Sequence, residues 1–190
     1  ILAISSMILA ILIGIPLGVI GAIKQHTIFD NIAMTVSVMG ISLPSFVSAM
    51  ILALYLGFKW HSFTGLDFTG PLYVIDDYGN EVLVLKNLIL PTIALGTRPI
   101  AIIFQLTRSS MLDVLSQDYV RTARAKGLSE FVILIKHALR NALNPVVTSI
   151  SGWFASLLAG AYFVELIFGI NGLGNKTIQS LMTFDFPVVM

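Results

Sequence analysis

Cysteine is absent from the 190 residues, which excludes disulfides and thiolate metal sites and leaves the compartment open. Histidine is almost as scarce: His26, His61 and His137 are scattered through loops and share no helical spacing with a carboxylate, so no metal site is read. Charged residues make up only 11% and the formal net charge is +1, which offers nothing to nucleic acid; what matters is where the few charges sit. There is no glycine-rich loop closing on Gly-Lys-Ser/Thr, so the chain has no phosphate-cradling nucleotide site of that kind. No serine stands in a recognisable nucleophilic setting and no pair of carboxylates lies within the apolar runs. A membrane-embedded protease or acyltransferase would need such groups there.

What is present is apolar: 56% of residues are hydrophobic and the mean hydropathy is +0.91, outside the range of soluble domains. A helix needs about 20 apolar residues, rising ~1.5 Å each, to cross a bilayer. Four stretches qualify, about 1–23, 32–58, 87–107 and 146–168, and another starts at Phe186. These runs are continuous rather than alternating, which predicts helices and not strands. The fold class is therefore all-α, a polytopic transmembrane helical bundle. Ile1 already lies inside an apolar run with no basic region ahead of it, so this is no signal peptide. The expectation is a single transmembrane domain over 1–190, truncated at both ends, with about four full spans and the start of a fifth.

Lys and Arg in the loops set the orientation, since they stay on the cytoplasmic side. Lys24, Arg108, Arg121, Arg124, Lys126, Lys136 and Arg140 fall on one side, against Lys59, Lys86 and Lys176 on the other. Seven against three places loop 108–145 in the cytoplasm and the loop bearing Asp67, Asp76, Asp77 and Glu81 outside. Arg98 is the exception, near the middle of the third span, where an isolated cation costs about 3 kcal/mol. Such a charge must face protein or water and is a functional candidate by default, the alternative being a pair with a carboxylate on another span or snorkelling along a tilted helix.

The cytoplasmic loop carries the chain's densest pattern, DYVRTARAKGLSEFVILIKHALRNALNP from Asp118 to Pro145. Ser116 or Asp118 is the expected N-cap, Tyr119 to Lys126 a short helix, and Gly127 a left-handed stop. Ser129 offers a second cap, and helix then continues to Ala142, ending at Asn144-Pro145. Tyr119, Ala123 and Lys126 share a face, and the small Ala123 and Ala125 would let another protein come close. An amphipathic helix resting on anionic lipid satisfies the same pattern.

The ARAKG of Ala123 to Gly127, with Pro145 following, resembles the coupling loop of ABC importer permeases. DYVRTARAKGL followed by HALRNALNP is similar to the oligopeptide/dipeptide/nickel branch, as are GISLPSF at Gly40–Phe46, VELIFGINGLG at Val164–Gly174 and DFPVV at Asp185–Val189. Arg121-Thr122-Ala123 stands where the general family has Glu-Ala-Ala; Asn171 replaces a common proline, and Phe184 a common arginine. The resemblance implies the type I ABC importer permease fold and assigns ATPase coupling to Asp118, Tyr119, Arg121, Ala123, Arg124, Ala125, Lys126 and Gly127. It implies ABC ATPase subunits carrying ATP and magnesium, a second permease subunit, an extracytoplasmic substrate-binding protein, surrounding membrane lipid, and a prokaryotic inner (plasma) membrane. The chain itself would not be an enzyme. Oligopeptide or dipeptide is the implied cargo, with nickel or glutathione as alternatives within the same machinery. An ion-driven secondary transporter would show acids at mid-membrane, whereas here they lie in loops or at span ends.

Substrate-path candidates are Arg98, Glu165 and Asp185. Glu165 and Asp185, at the outer ends of their segments, could meet a peptide's amino terminus or could cap local backbone amides. Gly14, Pro16 and Gly18, and the series Gly152, Ser156 and Gly160, read first as close-packing positions and second as pore lining. In the outer loop, Trp60, Phe63, Phe68, Tyr73 and Tyr78 supply aromatic surface for a small self-packed cap or for contact with a binding protein.

Overall fold

An apolar chain with no water to satisfy its backbone groups closes them on itself as helix, and the computed structural model follows that rule through each apolar stretch. It describes residues 1–76, 78–159 and 161–189; Asp77 of the outer acidic loop, Gly160 of the small-residue series and Met190 lie outside the described residues. Two helices are each long and apolar enough to cross a membrane alone: α1 (Leu2–Ile23) and α5 (Lys86–Leu115). The other two stretches reach that length only as pairs. Within 32–58 the helix α2 (Ile28–Ser42) stops and α3 (Ser45–Leu52) restarts. Pro44 explains the break: it disfavours helical backbone at the residue before it, and at φ −60, ψ 142 it caps the next helix from outside. A π-helical turn, Ala53–Lys59, and a short helix α4 (His61–Thr64) follow.

Beyond α5 come α6 (Asp118–Ala125), α7 (Glu130–Val132), a second π-helical turn (Ile133–Leu139) and α8 (Arg140–Leu158). Pro145 does not end the helix, as the sequence suggests, but lies inside α8. The apolar residues after it must be helical to keep their own backbone groups paired, so one missing amide bond is tolerated. The chain closes with α9 (Tyr162–Phe168), α10 (Leu173–Met182) and α11 (Phe186–Val189).

Two compact units result. The first comprises Ile1–Ser6, Leu43–Thr97 and Phe154–Met190. In it α3 packs on α9, with the Phe46 and Phe163 rings 5.7 Å apart, over a core that includes Leu90, Val164 and Phe168. Ser5 and Thr92 share a hydroxyl hydrogen bond of 2.8 Å. The outer loop divides in two. Its early part lies on the unit itself: the Gly70 amide donates to the Phe168 carbonyl at 3.0 Å, and Phe68 sits against Gly57, where a Cβ would come within 2.5 Å of its backbone. Its later part is an antiparallel hairpin, β1 (Tyr73–Ile75) with β2 (Glu81–Leu83), Val74 opposite Val82, exposed on both faces. The aromatics do not bury one another as a closed cap, since Trp60, Phe63, Phe68, Tyr73 and Tyr78 are all exposed.

The second unit comprises Met7–Ser42 and Arg98–Trp153. Gly14 and Gly18 bring α1 against α5: a Cβ on Gly14 would lie 2.8 Å from Ile103 Cγ2, and one on Gly18 2.6 Å from Thr107 Cβ. Their small size therefore serves close helix packing. Below that contact Ala22, Met111, Ala138 and Ala142 form a buried cluster drawn from α1, α5, the second π turn and α8. A second cluster, Val120, Ala123 and Ile133 with Leu115 packed against it, joins α6 to its neighbours.

Candidate functional site

α6 is built for rigidity. Its N-cap is Gln117, with extended backbone (φ −72, ψ 149) and no side-chain cap, rather than Ser116 or Asp118. Ser116 is engaged elsewhere, its hydroxyl donating to the Asp113 carbonyl at 2.7 Å, and Asp118 is already helical, its carboxylate favourably placed in the first turn. At the other end Gly127 takes φ +78, as the sequence anticipates. The Leu128 amide donates to the Ala123 carbonyl and the Gly127 amide to the Arg124 carbonyl, at 3.3 and 2.9 Å, the paired bonds of a Schellman stop. Across that turn Arg124 reaches Glu130 with two bonds, 2.8 and 3.3 Å. That hydrogen bond, with the guanidinium charge, holds the Glu130 carboxyl below the usual range and raises Arg124.

The positions expected to meet a partner separate into two groups. Asp118, Arg121, Ala125, Lys126 and Gly127 are exposed, Asp118 and Arg121 forming a loose ion pair at 3.7 Å. Ala123 is a correction. It is buried, 7% exposed, against Ile133, so its small side chain lets α6 approach the helix that follows rather than another protein. Tyr119 is exposed but tied down by its hydroxyl: the Asn141 amide donates to it at 2.8 Å, and it donates to the His137 carbonyl at 3.5 Å. The outward surface is thus the end of α6 with Leu128 and Phe131, both exposed, beside the turn.

Of the substrate-path candidates, Arg98 belongs to the second unit and Glu165 and Asp185 to the first. In the second unit the Arg98 guanidinium carbon lies 5.6 Å from the Trp153 ring centroid, and among the described residues no carboxylate pairs with it. A cation over an indole face keeps part of its stabilisation without a counter-ion. In the first unit Glu165 is buried, 5% exposed, and accepts the Asn175 amide at 2.7 Å and the Ala161 amide at 3.4 Å. Of its two expected roles the geometry favours capping. Gly172 at the head of α10 has no side chain to offer, and Glu165 supplies the oxygen from seven residues upstream. A cavity of about 730 Å³ opens beside it, lined also by Tyr73, Asn171, Asn175, Lys176 and Gln179. Asp185 is exposed, following Phe184 at φ +57. Among the described residues no group of three or more His, Asp or Glu is placed to hold a metal ion.

The family model described as "Binding-protein-dependent transport system inner membrane component" matches residues 14–190. The chain belongs to this family. The chain is similar to the dipeptide transport system permease protein DppB of Bacillus subtilis (strain 168), 41% identical over 189 residues that cover 100% of this chain and 57% of that protein. It is 42% identical to DppB of Escherichia coli (strain K12) over 99% of this chain and 60% of the relative. The di/tripeptide transport system permease protein DppB of Pseudomonas aeruginosa (strain UCBPP-PA14) is also 42% identical, again over 99% and 60%. The chain thus spans about three-fifths of the length of the curated relatives it matches.

Three sets of residues escape the reading of the sequence. Val120 and Ile133 underlie α6, yet an apolar residue in a mixed loop announces nothing until its partner is known. Glu130 could have been found, as an acid six residues after Arg124 with a glycine stop between. Asp30 had no signal beyond being an acid at the head of an apolar helix, and Arg108 counted only toward orientation; the structure joins them at 2.6 Å.

Proposed function

We propose that the chain belongs to the permease subunit of an ATP-driven importer that moves oligopeptides or dipeptides across the membrane by alternating access. The observation that carries the reading is α6 itself: a short helix, closed by a Schellman turn at Gly127, braced by Arg124–Glu130 and seated on a buried Val120–Ala123–Ile133 floor. A rigid, exposed end on a firmly seated helix is what a lever between a soluble motor and membrane helices requires. ATP and magnesium then belong to partner ABC ATPase subunits, which dock on Asp118, Arg121, Arg124, Ala125, Lys126 and Gly127, while Tyr119 and Ala123 hold the helix in place. A second permease subunit and an extracytoplasmic binding protein complete the assembly. Loop 108–145 faces the cytoplasm of a prokaryotic inner membrane, and the chain is one transmembrane domain with spans near 1–23, 32–58, 87–107 and 146–168 and another starting at 186. The peptide permeases among the relatives support peptide over nickel or glutathione as cargo.

These 190 residues hold no cysteine to compete with an introduced one. Single cysteines are placed in the full-length chain at Ala125 and at Tyr78, the latter 90% exposed in the outer loop. Gly70 would serve worse, because a Cβ there comes within 2.5 Å of the Asn87 amide. Crosslinking to a cysteine-bearing ATPase subunit is expected from Ala125→Cys and not from Tyr78→Cys. Protection of Ala125→Cys by anionic lipid, with no crosslink to any ATPase subunit, would overturn the coupling reading.

A further inference from the structure

α1, α2 and α5 converge at one polar point in the second unit. Arg108 donates through Nε to Asp30 Oδ1 and through its terminal nitrogen to Oδ2, both at 2.6 Å. Asp30 is 1% exposed and also accepts the His26 amide at 3.0 Å, with His26 held at φ +63. Gly21 of α1 completes the point: a Cβ there would lie 3.5 Å from Arg108 Cδ and 3.5 Å from Asp30 Oδ1. A second polar rung lies on the same faces, where the Gln105 amide donates to Ser37 Oγ at 2.8 Å. Gln105 is one turn before Arg108 on α5, and Ser37 two turns after Asp30 on α2. From Arg108 the helix runs without interruption to Leu115, and α6 begins at Asp118.

We propose that Asp30 and Arg108, positioning residues rather than contacts to cargo, form the joint that makes α2 move with α5 when α6 is displaced. This rests on the coupling reading above. Two apolar helices in contact can slide over one another at little cost. A two-pronged guanidinium–carboxylate pair fixes angle as well as distance, and parting it would leave a buried charge without its partner. The Gln105–Ser37 rung blocks rotation about that single point. Displacement of α6 therefore reaches α2 without loss along α5.

The test uses the full-length permease with its partner subunits in proteoliposomes, carrying spin labels at Thr122→Cys on α6 and Thr35→Cys on α2, both exposed positions outside the proposed docking set. The distance distribution between the labels is expected to stay narrow and unchanged between the nucleotide-free state and the state with a non-hydrolysable ATP analogue. In Asp30→Asn and Arg108→Gln it should broaden, and uptake of a radiolabelled dipeptide per ATP hydrolysed should fall about tenfold while the ATPase subunits are retained. A distance that shifts between nucleotide states in the unsubstituted complex overturns the joint, and so does an unbroadened distribution in both variants. If the variants fail to accumulate, the unsubstituted complex still decides. Failure to retain any ATPase subunit counts against the coupling reading, whereas the label distances are read on the chain itself and judge the joint separately.

Discussion

At Gly127 a Cβ would meet nothing within 4 Å, so the cost of any side chain there is backbone conformation alone. Gly127→Ala should destabilise the turn by roughly 1–2 kcal/mol and Gly127→Asn by less, since asparagine tolerates left-handed backbone; amide exchange at Leu128 in the full-length chain would report the order. Gly172 obeys a different rule. Its φ of −106 is ordinary, and what excludes a side chain is the Glu165 carboxylate, which a Cβ would strike. Glu165→Ala should cost about 1 kcal/mol through the lost cap. Gly172→Ala should be harmful in the native background and nearly harmless beside Glu165→Ala, a coupling that thermal melts of the four proteins would expose. Gly127 was legible in the sequence because a glycine after a helical pattern has a local reason to be there. The burial of Ala123 was not, because it depends on Ile133, which only the fold brings beneath it.

Among elements, α6 and α7 are held across their turn by a brace that titrates. The Glu130 pKa lies below its ordinary value because Arg124 hydrogen-bonds the carboxylate. A group lowered on folding contributes fully above its unfolded pKa, so the brace is complete at neutral pH and is lost as pH falls out of the ordinary carboxylate range and through the lowered folded value. Glu130→Gln should speed amide exchange around Gly127–Phe131 at pH 7 and remove the further acceleration that the native chain shows on acidification, after correction for intrinsic rates. Helix positions were largely legible, since periodicity and apolar length are local. The ends were not: Pro44 breaks an apolar run and Pro145 leaves one unbroken, and the difference lies in what each neighbourhood can pair, which no single position states.

For the whole molecule, the seven-to-three distribution of basic residues supports a topology that the cysteine test can check, and energy coupling can be examined directly. Uptake by the reconstituted full-length complex should stop when ATP is withdrawn and persist when a protonophore collapses the ion gradient; the reverse would return the chain to the ion-driven class. Hydropathy foretold the apolar stretches but not that the unit boundaries after Ser42, Thr97 and Trp153 fall inside them. A window average counts apolar residues without knowing which half of a helix finds which neighbour. The π turn at Ile133–Leu139, against which Tyr119 hangs by its bond to the His137 carbonyl, bears on a last constraint. Such a turn holds one residue more than an α turn, so a chain that loses a single residue there can close the stretch as ordinary α-helix with its flanks turned little relative to one another. The constraint falls instead on α8: a one-codon deletion there should turn everything before it by about 100° and be more damaging than one in the π turn, which thermal melts of the two deletion variants would check.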